Sequence, residues 1–202
     1  MIEKLKYKLN SNNSEKPSGN PQASVLIAIL NYGKFIEAPE LIYTQRSGNL
    51  STHSGEVSFP GGKTDKTDSN LYETAMRESN EEISLNGEDV TKLGKLNYLI
   101  SRHKIEVNPF VASIDKPQSL KPNEEIQDIF TVPLNFLLDK ENIQREVIER
   151  HGSIWQVPTW SIKNQKIWGL TAMITVNLSL IHISEPTRPE RISDAGVWVK
   201  KK

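Results

Sequence analysis

Arg77-Glu78-Ser79-Asn80-Glu81-Glu82 packs three carboxylates and one guanidinium into a run of six residues. On a helix, with about 100° between successive residues, Glu78, Glu81 and Glu82 fall within one narrow arc. Neighbouring like charges there cost about 0.2–0.5 kcal/mol a pair, which a helix bears easily while they stay solvated. An exposed acidic face is therefore one reading. The other is a divalent-cation site. The chain has no cysteine, and its four histidines, His53, His103, His151 and His182, lie far apart. Hard oxygen donors alone suit Mg²⁺ or Mn²⁺ and not zinc. One helical face supplies only part of an octahedron, which leaves positions for water and a diphosphate. Arg77 is placed to orient a neighbouring glutamate through a two-pronged pair.

The residues upstream favour the second reading. Pro60-Gly61-Gly62 ends a short apolar alternation, Val57-Ser58-Phe59, and an Asp-rich loop with Asp65 and Asp68 leads from it to Arg77. Two glycines after a proline are expected to continue neither a helix nor a central strand. They mark a turn or a backbone that approaches something closely. A carbonyl or amide freed there is able to complete a coordination shell or touch a phosphate.

These residues need a frame. Two hundred and two residues make one ordinary domain, and Lys plus Arg (25) equals Asp plus Glu (25), a formal net charge of zero. That balance argues against a general nucleic-acid-binding surface. The apolar runs, such as Val25 to Leu30, are far shorter than the roughly 20 residues of a membrane span. The first twenty residues lack the apolar core of a secretory signal, so the chain is expected to be soluble and cytoplasmic.

Residues 1–21 read as a polar segment with a weakly signalled helix at Ile2 to Leu9 and a linker running to Pro21. Strands are expected at Val25 to Leu30, Glu40 to Gln45, Leu93 to Ser101, Ile105 to Ile114, Ile143 to Ile148 and Ser153 to Val157. Between them, Asn70 to Leu85 has a helical period. Asn70 is the cap and Glu73 the return half of a capping box. Tyr72, Met76, Ser79 and Ile83 form the buried face, and Asn86-Gly87 the stop. Pro133 starts a helix to about Leu138, and a last helix begins near Trp168. The sum is α+β, or helices on a mixed sheet. Residues 178–202 do not fit this pattern. Leu178 to Pro189 looks like a translated sequencing-adapter remnant, with a genuine disordered tail as the alternative, and no function is expected after Asn177.

The second half of this constellation, Arg77 to Leu85, resembles the Nudix hydrolase motif Gly-x5-Glu-x7-Arg-Glu-U-x-Glu-Glu-x-Gly-U, where U is a bulky aliphatic residue. Ser79 stands at the first U, Ser84 at the glycine and Asp68 near the early glutamate, with one residue added before the helix. A narrower resemblance accounts for that addition. Leu41 to Gly62, including Arg46, His53, Phe59, Pro60, Gly61 and Gly62, is similar to the signature of the coenzyme A diphosphatase subfamily, with Ser51 where arginine is usual. Val107 to Val111, Pro133 to Leu138 and Ile167 to Ala172 are similar too. The resemblance covers about Gln22 to Val176, within a domain expected over residues 22–177.

It implies a Nudix α/β/α sandwich, a mixed sheet between helices. It also implies metal-dependent hydrolysis of coenzyme A or its derivatives to adenosine 3′,5′-bisphosphate and 4′-phosphopantetheine, with Mg²⁺ or Mn²⁺. Glu78 and Glu82 are then first-choice metal ligands, Glu81 a further ligand or the base, and Arg77 part of the catalytic set. Arg46, His53, Gly61 and Gly62 are the substrate-binding candidates, although a hydrogen bond to a loop carbonyl is the plainer reading of His53. Glu124-Glu125 reads as the solvated first turn of a helix. Glu125 is also an alternative base, because the family sometimes draws its base from a later glutamate. Trp155, Trp160 and Trp168 are expected to pack in the core or between subunits instead of stacking a base. A small nucleotide is the expected partner, with no nucleic acid and no membrane; a homodimer stays open. Rival readings are hydrolysis of ADP-ribose or NADH, and a nucleotide-sensing module without chemistry.

Overall fold

A computed structural model describes residues 2–11, 17–31, 38–48, 55–114, 116–150 and 153–183. Along the chain these form α1 (Ile2–Ser11), β1 (Gln22–Leu30), β2 (Glu40–Arg46), β3 (Val57–Ser58), β4 (Gly61–Lys63) and α2 (Leu71–Ile83). Then follow β5 (Val90–Lys95), β6 (Leu99–Ile100), β7 (Glu106–Ile114), β8 (Ile126–Pro133), α3 (Leu134–Leu138), β9 (Gln144–Arg150), β10 (Ser153–Ile162), β11 (Gln165–Ile167) and α4 (Gly169–Ile183).

The apolar run around Val25 to Leu30 becomes the middle of the main sheet. β1 pairs in parallel with β7, from Gln22 opposite Glu106 to Leu30 opposite Ile114, and antiparallel with β2 and β4. The order is β3-β2-β1-β7-β5, with β8 also on β2. Strands buried on both faces are mainly apolar, and all nine residues of β7 are buried, its polar Glu106, Asn108 and Ser113 included. On one face Leu26, Ala28, Phe110 and Ala112 pack with Ala75 and Ile83 of α2. On the other, Ile27, Ile29, Tyr43 and Val111 share a core with Ala172, Ile174 and Val176 of α4 and with Leu9 of α1. The result is the expected mixed sheet between helices. A second sheet, β11-β10-β9, stands beside it, with the fully buried Trp160 on β10.

Several sequence expectations are corrected here. Gly61 and Gly62 do lie in a strand: β4 pairs with β1, Gly61 opposite Val25 and Gly62 opposite Ser24. Gly61 has φ +150°, and a Cβ there would run into the Ser24 carbonyl and Val25 Cα, so only glycine lets the two strands close up. Glu124-Glu125 does not open a helix; the chain turns and enters β8. The weakly signalled helix at Ile2 to Leu9 is present as α1, and its Leu9 is fully buried in the main core. The boundary after residue 177 is also displaced: α4 runs to Ile183 with Leu178 and Ser179 buried. Residues 184–202 lie outside the described residues.

The central helix is capped by Asn70 as its sequence suggests, but Glu73 returns to the residue before the cap and not to the cap's own N–H. Asn70 Oδ1 accepts from the Tyr72 and Glu73 N–H groups, both at 3.0 Å, while Glu73 reaches back to the Ser69 N–H at 2.9 Å. Its end is earlier than expected. Ser84, not Asn86-Gly87, closes it in the left-handed region at φ 56°, ψ 34°, its N–H donating to Asn80 O. The buried face differs as well. Thr74, Ala75, Ser79, Glu82 and Ile83 are buried, whereas Tyr72 and Met76 are half-buried. Buried Ser79 is satisfied by donating to Ala75 O at 2.6 Å.

Candidate functional site

The acidic run lies on α2 where that helix faces β4, and its three glutamates are not equivalent. Their side chains are 20%, 55% and 6% exposed at Glu78, Glu81 and Glu82. The solvated acidic face therefore describes Glu81 alone. Glu82 accepts the Gly61 N–H at 3.0 Å and faces Arg46 Nη1 at 3.4 Å. Burial pushes its carboxyl up to about 7, against the pull of the Gly61 N–H and Arg46, with Glu78 and Glu125 adding repulsion. Glu78 lies against Gly62, where a Cβ would overlap its carboxylate. Its carboxyl is also raised, by burial first, with Arg77 opposing.

Arg77 ties this helix to the loop before it. The two-pronged pair expected with a glutamate goes instead to Asp68, with Nε to Oδ1 at 2.9 Å and Nη2 to Oδ2 at 3.1 Å. Asp68 has the right reach because the Asp65 N–H and Thr74 hydroxyl hold it, both at 2.8 Å. Arg77, before those two donors, keeps the Asp68 carboxyl far below the usual carboxylate range. The remaining Arg77 donors meet Glu78 Oε1 at 2.9 Å, Glu81 Oε2 at 3.2 Å and the Lys63 carbonyl at 3.2 Å. One guanidinium thus connects the loop, β4 and two glutamates.

Arg46 is the second organiser. A register shift between Gln45 and Arg46 at the end of β2 displaces it from the regular ladder. Its Nη2 donates to Glu125 Oε2 at 2.9 Å while Nη1 faces Glu82, so it bridges two carboxylates 43 positions apart in sequence. Among the described residues, Arg46 Nε is buried with no hydrogen-bond partner. The 121–125 turn is held at the helix end by Asn123 N–H to Glu82 O and Lys121 N–H to Ile83 O, both at 3.0 Å. The family resemblance named Arg46 and Glu125 separately but did not signal that they touch.

The structure therefore gathers Arg46, Gly61, Gly62, Arg77, Glu78, Glu81, Glu82 and Glu125 into one region. His53 and Ser51 lie outside the described residues. Trp160 is in the core, whereas Trp168 is 40% exposed. Among the described residues no three acidic or histidine side chains converge as a ready-made cation cage. Glu78 and Glu82 are engaged by guanidinium and amide donors. The arrangement offers carboxylates of graded burial, opposed by two arginines, two of them seated against a glycine strand.

Residues 20–151 match the NUDIX domain family. An uncharacterised Nudix hydrolase of Pectobacterium atrosepticum is 38% identical over 160 residues, covering 79% of this chain and 81% of that protein. The mitochondrial coenzyme A diphosphatase of Homo sapiens is 39% identical over 142 residues, covering 68% of this chain and 60% of that protein. Among solved structures, an Ap4A hydrolase of C. elegans aligns with a TM-score of 0.48 at 20% identity, covering 56% of this chain and 80% of that one.

Proposed function

This chain belongs to the Nudix family, hydrolases of nucleoside diphosphate derivatives, and from that premise we propose that it cleaves the diphosphate of coenzyme A or its derivatives. The products are adenosine 3′,5′-bisphosphate and 4′-phosphopantetheine. The observation that carries the reading is the seating of Glu78 and Glu82 against the Gly61-Gly62 strand, with Arg46 between Glu82 and Glu125. Support for coenzyme A in particular comes from the Leu41 to Gly62 signature and from the human relative, itself a coenzyme A diphosphatase.

The residues fit a hard divalent cation. Their donors are all oxygen, and the raised Glu82 carboxyl is a buried acid whose charge the protein only partly compensates. We assign Glu78 and Glu82 as its ligands, with Glu81 as a further ligand or as the base. When bound, Mg²⁺ or Mn²⁺ supplies charge neutralisation on the diphosphate oxygens and lowers the pKa of the attacking water.

The chain's own residues do the rest. Arg77 holds Glu78 and Glu81 on one side of the helix, and its Asp68 anchor fixes the guanidinium plane. Glu81, exposed, or Glu125, held by Arg46, takes the proton of the water as its oxygen bonds to phosphorus. The bridging P–O bond breaks, and that oxygen leaves with the other phosphate. The Gly61 N–H holds Glu82, and Gly62 lets Glu78 seat against β4, where a Cβ would intrude on its carboxylate.

The test is product identification with coenzyme A, NADH and ADP-ribose, each with Mg²⁺, with Mn²⁺ and with chelator. The expected result is metal-dependent release of adenosine 3′,5′-bisphosphate from coenzyme A as the preferred reaction. Preference for ADP-ribose or NADH would refute the substrate assignment. Binding without turnover of any of them would make the chain a sensing module.

A further inference from the structure

β9 is the outer strand of the second sheet. It pairs with β10 on one side, and among the described residues no strand pairs with it on the other. Its middle is apolar and exposed: Val147 is 65% and Ile148 38% accessible, and Ile154 on β10 is 48% accessible. Such an edge is a template for another strand, and its charges select which one.

Arg145-Glu146-Val147-Ile148-Glu149-Arg150 carries the same charge sequence in both directions. A second copy running antiparallel, centred between Val147 and Ile148, would set Arg145 against Arg150 and Glu146 against Glu149. Like charges directly opposite each other destabilise a strand pair. Moved one position, so that Val147 faces Val147, the same palindrome sets Arg145 of each copy against Glu149 of the other. Both side chains are exposed, and no ion pair within the described residues engages either. The remaining one-step shift, centred on Ile148, would ask Glu146 to leave Lys166, which it holds at 2.6 Å. Arg145, Val147 and Glu149 share a face by the two-residue period, and Ile154, opposite Glu149 in the ladder, points the same way. An apolar centre flanked by two symmetric ion pairs results.

We propose that two copies of this chain join edge to edge through β9, antiparallel about a two-fold axis at Val147. The two three-stranded sheets become one continuous sheet, and the interface is self-complementary as a closed two-fold requires. The charges that repel an arbitrary strand are the ones that fit this partner.

The test is mass in solution by multi-angle light scattering across a concentration series, with circular dichroism to verify folding. The native chain is expected at twice its chain mass, Arg145→Glu and Glu149→Arg each at the monomer mass, and the double variant Arg145→Glu/Glu149→Arg again at twice it. The chain has no cysteine, so Val147→Cys under oxidation reports this one contact, and a covalent dimer on a non-reducing gel is expected. A native chain that stays monomeric throughout would overturn the proposal. So would a dimer indifferent to both single charge reversals, or a Val147→Cys chain that does not cross-link.

Discussion

Gly62→Ala separates the fold from the site. An added Cβ would overlap the Cδ and both carboxylate oxygens of Glu78. Those atoms end a flexible side chain, so the protein yields by swinging Glu78 aside. An off-rotamer or re-chosen χ angle costs about 0.5–1.5 kcal/mol. The more restricted unfolded state of alanine returns about 0.4–1 kcal/mol where the backbone is compatible. Gly62 does not lie in the left-handed region, so net stability should change by under about 1 kcal/mol. Activity should not be spared. Moving a reacting or ligating group by roughly 1 Å can cost about 10²-fold, near 2.7 kcal/mol of barrier. Gly61→Ala is the contrast. Its Cβ meets the Ser24 carbonyl and Val25 Cα at φ +150°, backbone that cannot swing away, and the strained residue should lose about 1–3 kcal/mol or more. Denaturant midpoints of both variants, alongside steady-state turnover of coenzyme A with Mg²⁺, provide the assay. Near-native turnover in Gly62→Ala, or a loss of stability as large as in Gly61→Ala, would refute the seating of Glu78 on this glycine.

Glu82→Gln keeps an acceptor for the Gly61 N–H but loses the charge, and should lower turnover by about 10²–10³. Its carboxyl is raised from 4.5 to about 7 in the folded protein, so ionisation opposes folding, not at all well below 4.5 and fully above 7. In chelator the variant should therefore be more stable than native above pH 7 and equal to it in acid; denaturant midpoints on both sides check this. Ser84 pays for a left-handed conformation at φ 56°, and its hydroxyl makes only an exposed 3.3 Å bond to Lys121 O. Ser84→Gly should raise stability by about 0.5–1 kcal/mol, and an unchanged or lowered melting temperature would contradict it. Glu106 is 2% exposed. Burial pushes its carboxyl up, but hydrogen bonds from the Ser18 hydroxyl and N–H, Gln22 and Asn108 outweigh it and hold it at about 2. A depressed acid contributes stability above its unfolded value of 4.5 and loses it as pH falls toward 2. Full conversion gives on the order of 3 kcal/mol, an expected loss reached only as pH approaches 2. Glu106→Gln should flatten the acid limb of the stability curve by that amount.

Local rules were enough for much of this protein. The Asn70 cap, the helical period after it, the doubly buried β1 and the Pro133 helix start all depend on residues within a turn or a pleat of each other, and were legible in the sequence. So was the clustering of the candidate carboxylates with a guanidinium, because Arg77 to Glu82 carry them in consecutive positions of one helix. Tertiary packing decided how they differ. Glu78, Glu81 and Glu82 share one arc on a helical wheel, yet only closure of β4 on α2 buries Glu82 and leaves Glu81 in water. Burial then sets the charge preference of each, and burial has no signature in a polar residue's neighbours along the chain. The same holds for Arg46, which reaches Glu125 across two paired strands, and for Gly61-Gly62, which read as a break until β1 supplied a partner. Chain-neighbour rules see through a few residues at most. Contacts closed over 36 positions, such as Arg46 with Glu82, come from strand pairing and packing between elements.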